Sequence, residues 1–139
     1  MVWAIGPTFG MMVGVVNGWR KVTDKYLLNL WSKAVRVEKG DYCYSCGQPA
    51  HSVHHIIRVR HKLTRYDPKN GLPLCAECHK KAQRSIGWDI DLIPDDKVYL
   101  RERANINIKD WLVRLGMTVK EFEKFAADEL KAIIAGGRE

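Results

Sequence analysis

Between residues 22 and 40 the apolar positions recur with the period of a helix. In VTDKYLLNLWSKAVRVEKG, Leu27, Leu30, Trp31, Ala34 and Val35 fall three or four apart, the spacing that gathers side chains on one helix face. Thr23 stands where an N-cap belongs, and Lys39-Gly40 suits the far end. The period then changes. HSVHHIIRV, residues 51–59, is β-branched and reads as a strand. RYDPKNG, residues 65–71, is a turn through Pro68, Asn70 and Gly71. LPLC returns as a short strand, and AECHKKAQR, residues 76–84, favours helix. GWDIDLIPDDK has no sustained period and reads as an irregular, solvated acidic stretch; Asp89, Asp91, Asp95 and Asp96 within it have the chemistry for a cation but fit a plain loop better. Asn107 opens a further helix, IKDWLVRLG, ended by Gly116. Thr118 and Glu121 form a T-x-x-E capping box for a last helix to about Ala135, with Phe122, Phe125, Ala126, Leu130 and Ile133 as its apolar face.

The first nineteen residues, MVWAIGPTFGMMVGVVNGW, carry no charge. A secretory signal would want basic residues ahead of the apolar run, and none are there. Gly6, Gly10, Gly14 and Gly18 recur every four residues, as in membrane helix-dimer seams. Pro7, Asn17 and the four glycines argue against a span that barely reaches bilayer length. The preferred reading is an apolar arm, packed on the domain or on a second subunit or poorly ordered, with no membrane partner.

The chain has 139 residues, 46% of them apolar, and a net charge of +7. That is enough for one domain with a modest core, and a metal staple would strengthen it. The charge is concentrated. Residues 58–84 hold eight basic side chains (Arg58, Arg60, Lys62, Arg65, Lys69, Lys80, Lys81 and Arg84) against two acids, while the rest of the chain is nearly balanced. Such a segment favours a polyanion, either nucleic acid or an anionic membrane surface.

The four cysteines come in two pairs, CYSC (Cys43, Cys46) and CAEC (Cys75, Cys78). Two C-x-x-C pairs suit a tetrahedral Zn(Cys)4 knuckle better than two disulfides, because the loop inside each pair is tight. Gly47 suits the first turn. A redox pair or an iron–sulfur site are the other readings; the thiol pattern favours a reducing, cytoplasmic setting. The pairs bracket HSVHHIIRVRH, which holds four of the five histidines. An ion drawing Cys43 and Cys78 together would fold that stretch into a hairpin. The strand would then carry His54 and His55, and the helix would carry His79.

These residues resemble the HNH endonuclease motif: C-x2-C, then HHI, then N-x4-C-x2-CH. The resemblance implies an α+β fold with a ββα-metal (His-Me finger) core, a Zn(Cys)4 staple and flanking N- and C-terminal helices. It implies that His54 and His79 hold a catalytic divalent ion, that His55 is the general base, and that Asn70 bonds backbone across the loop to orient His55. The implied layout is an apolar arm at 1–19, a helix over 20–42, the nuclease core at 43–84, and a loop with C-terminal helices at 85–139 that packs on the core or on a second subunit in a homodimer. DKYLLNLWSKAVRVEKGDYCYSCG and RYDPKNG are also similar to phage NinG/Rap-type recombination endonucleases. That similarity implies branched recombination intermediates as substrate and, for a phage protein, the bacterial host cytoplasm. His79 stands where many of those members have Asn, and His54-His55 replaces a more usual Gly-His.

Phosphodiester hydrolysis needs an attacking water, charge stabilisation and help for the leaving oxygen. A neutral imidazole near its ordinary pKa suits the base at His55. Two imidazoles and waters accept Zn²⁺, Ni²⁺, Co²⁺ or Mn²⁺ and hold Mg²⁺ weakly. Adjacent strand residues point to opposite sides, so His54 and His55 need a twist or bulge to serve one point. His51 is a substitute ligand if the register slips; His61 faces phosphate with Arg58, Arg60 and Lys62. The rival reading is a zinc module that binds nucleic acid without cleaving it.

Overall fold

A computed structural model describes residues 22–137; the expected apolar arm, residues 1–19, lies outside them. Helix α1 runs Asp24–Lys39, with the Thr23 hydroxyl accepting the Tyr26 N–H and Gly40, at φ 93°, ending it. Its buried stripe is Leu27, Trp31, Ala34 and Val35. Leu30, expected on that stripe, is only partly buried.

Strands β1 (Ser52–His55) and β2 (Gly71–Leu74) form a two-stranded antiparallel sheet in which His54 pairs with Leu72 and His55 with Gly71. Paired residues share a face, so the alternation assigns sides. Leu72 and Leu74 enter a core with Ile56, Ala82, Ile90, Ile93 and Leu100. The opposite face, with Val53, joins a core of α1 and the C-terminal helices, including Leu27, Trp31, Phe122, Phe125 and Leu130. Here α1 approaches closely. A Cβ on Gly71 would lie 2.5 Å from Val35 Cγ2 and 2.8 Å from Trp31 Cζ2, so any larger residue here would force helix and strand apart or move those side chains.

The strand is shorter than HSVHHIIRV suggests. After His55 the chain leaves the ladder, because Asn70 captures it. The Ile56 N–H goes to the Asn70 carbonyl, and the Asn70 amide takes both backbone groups of Ile57. A single 3₁₀ turn, Pro68–Asn70, capped by Asp67, leads into β2. Lys39, at the end of α1, donates to the carbonyls of Gly71 (2.6 Å) and Lys69 (3.3 Å) and ties that turn to the helix.

Helix α2 (Ala76–Arg84) follows the second cysteine pair and covers the side of the sheet away from α1. The stretch expected to be irregular is instead a 3₁₀ turn, Ile90–Leu92, and a helix α3, Pro94–Ala104. Its start signals, Pro94 and the first-turn acids Asp95 and Asp96, were present in the sequence. Its apolar residues share no stripe, and Leu100 is its one buried side chain, so periodicity could not reveal it. Helix α4 (Ile108–Leu115) is capped by Asn107 and ended by Gly116 at φ 67°. Helix α5 (Val119–Gly136) begins with the Thr118–Glu121 capping box and packs along α1. The C-terminal helices therefore cover the core of their own chain. No helix among the described residues is long and apolar enough to cross a membrane.

Candidate functional site

The four cysteines meet at the base of the hairpin. One sulfur from each lies within 4.8 Å of the others. Cys46 Sγ and Cys75 Sγ are 3.6 Å apart, close to the ~3.8 Å edge of a tetrahedron with zinc–sulfur bonds of about 2.3 Å. The first knuckle turns through Gly47, at φ 79°, whose N–H bonds the Cys43 carbonyl at 2.9 Å. It is tied to β2 by the Tyr44 N–H on the Pro73 carbonyl, 2.9 Å. Cys75 caps α2, its sulfur accepting the Cys78 N–H at 3.5 Å. Burial raises the Cys43 thiol, but backbone N–H groups of Cys75, Cys46 and Ser45 outweigh it and bring the pKa to about 6. Cys78 is pushed up to about 12 by burial and by the sulfurs of Cys43, Cys75 and Cys46. Four thiolates so close require a cation between them, and this donor set fits Zn²⁺.

On the α2 side of the sheet, His54 and His79 meet edge to face with ring centroids 5.2 Å apart. His79 Nδ1 lies 2.8 Å from Ser52 Oγ. With that nitrogen donating to the hydroxyl, Nε2 keeps its lone pair. Burial, then the nearby His54 and His51, hold the His79 pKa below its ordinary value, which favours the neutral, ligating form. His54 Nε2 is 2.7 Å from Asp89 Oδ2, both side chains 12% exposed. Asp89, expected in a solvated loop, is buried, and its other oxygen accepts the Ile90 N–H at 2.8 Å. Nothing local announced it: thirty-five residues separate it from His54. Among the described residues only the cysteines bring three or more ligand atoms within 4.8 Å of one another, so the His54–His79–Asp89 group is the more open one. Two imidazoles and a carboxylate fit a divalent ion of intermediate hardness.

His55 does not join them. The strand has no bulge at this point, and the ring lies on the α1 face, stacked on Trp31 at 3.7 Å and 11°. Its Nε2 is 3.0 Å from the Arg65 carbonyl. A carbonyl only accepts, so Nε2 carries the proton and Nδ1 holds the basic lone pair. Its pKa is not near the ordinary value, as the sequence suggested. Burial pushes it down to about 4, against the pull of the Arg65 carbonyl, and the ring is neutral at pH 7.

Asn70 is fully buried and every arm of its amide is used: Oδ1 accepts the Ile57 N–H at 2.6 Å, and Nδ2 donates to the carbonyls of Ile57 (3.0 Å) and Thr64 (3.1 Å). This clamp bridges the loop that carries the Arg65 carbonyl. Asp67, also wholly buried, accepts the Tyr99 hydroxyl and the Lys69 N–H, while its carbonyl accepts Trp31 Nε1–H at 2.8 Å. Trp31 and the RYDPKN step thus build the seat of His55.

Of the basic residues, Arg58, Arg60, Lys62, Lys80, Lys81 and Arg84 are exposed. Lys81 lies over the Trp88 ring at 4.9 Å, and Lys80 reaches Glu77 at 3.8 Å. Arg65 and Lys69, counted with them on sequence grounds, are engaged inside the molecule. Arg65 grips Asp24 through Nε (2.9 Å) and Nη2 (2.6 Å) and donates to the Val59 carbonyl; Lys69 pairs with Asp96 at 3.0 Å. His51 is exposed and His61 half-buried.

Residues 42–85 match the model of the HNH endonuclease family, a span that includes the four cysteines, His54, His55, Asn70 and His79. Searches of curated proteins and of solved structures return no match. Within the matched span the chain places two strands, a following helix and a four-cysteine cluster, so residues 42–85 are similar to an HNH endonuclease domain.

Proposed function

We propose that the protein is a metal-dependent DNA endonuclease that hydrolyses phosphodiester bonds and nicks duplex strands, with a structural zinc held by Cys43, Cys46, Cys75 and Cys78. The observation that carries this reading is the meeting of His54, from β1, with His79, from α2, across the hairpin. These two side chains would hold a divalent ion, which supplies Lewis acidity and stabilises the leaving oxygen when bound. His55 closes β1, so a phosphate lying across the end of the hairpin borders both faces. There His55 Nδ1 takes the proton of the attacking water while the Arg65 carbonyl holds the ring's other nitrogen. Asn70 is a positioning residue for that loop. Arg58, Arg60, Lys62, Lys80, Lys81 and Arg84 contact phosphates without reading bases.

The test is nicking of supercoiled plasmid by the zinc-loaded chain with Mg²⁺, Mn²⁺, Ni²⁺, Co²⁺ or Zn²⁺. His55→Ala should keep zinc and DNA affinity and lose roughly 10²–10⁴-fold in rate; His79→Ala should also lose the divalent ion. Cleavage at the wild-type rate by His55→Ala would remove it as base. DNA binding with no cleavage under any metal leaves the non-catalytic zinc module. Reversing Arg58, Arg60 and Lys62 to Glu should weaken all DNAs alike and flatten the salt dependence. A four-way junction and a linear duplex of equal length in the same assay test the branched-substrate reading. That reading rests on resemblance, since Arg65, Tyr66, Asp67 and Asn70 of the RYDPKN step are all bonded within the fold.

A further inference from the structure

We propose that Asp89 is a third protein ligand of the divalent ion held by His54 and His79. This rests on the reading just given and extends it to a residue outside the family match, which ends at 85. Three observations place it there. Asp89 is 8% exposed, unusual for a carboxylate with no Lys or Arg paired to it among the described residues. Its carboxylate is fixed: Oδ1 accepts the Ile90 N–H and caps the following 3₁₀ turn, which aims Oδ2 at His54. Oδ2 stands 2.7 Å from His54 Nε2. That is near the ~3 Å separating neighbouring donors around an ion with bonds of about 2.1 Å. Two ligands directed at one ion close on each other as a hydrogen bond when only a proton lies between them. The third donor, on His79, comes from the ring edge-on to His54 and tethered at Ser52.

The consequence is a choice of metal. Two imidazoles hold Ni²⁺, Co²⁺ and Zn²⁺ more tightly than Mn²⁺ or Mg²⁺; a carboxylate oxygen adds charge and hardness and strengthens Mn²⁺ and Mg²⁺ the most. The rival role for Asp89 is to orient His54 from behind. That role would make removal of the carboxylate weaken every metal equally through His54.

The experiment is calorimetric titration of Mn²⁺ and, separately, Ni²⁺ into the zinc-loaded full chain, for wild type, Asp89→Asn and His79→Ala. Zinc content and melting temperature are checked on each. Asparagine keeps the Ile90 cap through its carbonyl oxygen and turns an NH2 donor toward His54 Nε2, which accepts in the other tautomer, so the fold is retained. Asp89→Asn should bind Mn²⁺ at least tenfold more weakly and lose less for Ni²⁺, so the ratio of the two affinities shifts. His79→Ala should lose both. Equal losses of Mn²⁺ and Ni²⁺ in Asp89→Asn, or no loss, would overturn Asp89 as a ligand while leaving the His54–His79 site standing. A wild-type chain that binds neither metal overturns both.

Discussion

On one face of the hairpin His55 lies flat on Trp31, next to Gly71, where an added Cβ would press on Val35 and Trp31. On the other face, one residue earlier in the same strand, His54 meets Asp89 and His79. The first environment is made by shape. An aromatic stack, a close helix and a carbonyl leave the ring neutral with one free nitrogen. The second is made by complementary donors and acceptors with coordinating capacity to spare. Chemically identical side chains acquire different properties because a strand alternates its faces, and a slip of one residue would exchange them.

The comparison depends first on the cysteine cluster, which anchors both strands. Cys75→Ser should abolish tight zinc binding and unfold the domain, since structural zinc contributes on the order of 10 kcal/mol in small modules. Both faces would be lost together. Unchanged zinc content and melting temperature in this variant would refute the Zn(Cys)4 assignment.

Trp31→Ala strikes the α1 face alone. It empties a buried indole site and frees the Asp67 carbonyl; truncations of this kind cost about 3–5 kcal/mol. Urea unfolding measures the loss. Metal binding on the α2 face should persist wherever the variant is folded, and its disappearance there would show the faces to be coupled.

The next test concerns pH. Asp67 is fully buried, and burial pushes its pKa up from 3.8 to about 6 despite the Tyr99 hydroxyl, the Lys69 N–H and the nearby Arg103 and Lys69 charges. The folded chain holds this proton more tightly than the unfolded chain. Its stabilising contribution is therefore complete below the unfolded value, near 4, and is lost as pH rises through about 6. The full difference is on the order of 3 kcal/mol. Asp67→Asn removes the titration. The stability of Asp67→Asn relative to wild type should therefore grow between pH 5 and 7.5 in urea unfolding. The acid sensitivity of the cysteine cluster cancels in that difference. A flat difference would mean that Asp67 does not carry the raised pKa.

Gly71→Ala should be mildest. The added methyl meets Val35 and Trp31, and overpacking of this kind costs about 1–3 kcal/mol. Circular dichroism melts should record the drop. A variant as stable as wild type would show that α1 has room to shift, and that the close approach is not what seats His55.

What was legible in the sequence was local. Helix α1, with its Thr23 cap and Gly40 stop, and helix α5, with its capping box, follow from contacts three or four residues apart. The cysteine cluster was legible because each pair offers two ligands from one turn. Alternation implied that His54 and His55 diverge unless a twist or bulge intervenes, and the register runs through both residues with no bulge. Helix α3 was missed because its apolar residues form no stripe. The strand was read as too long because its end is imposed by Asn70, thirteen residues beyond Ile57. Only the fold decided that Arg65 would face Asp24 rather than solvent, that Trp31 would depress the basicity of His55 by burying it, and that Asp89 would arrive beside His54. Caps, periods and ligand spacings are written within a few residues of chain. The partners of a buried polar group are chosen by whichever elements pack around it, and those come from anywhere in the sequence.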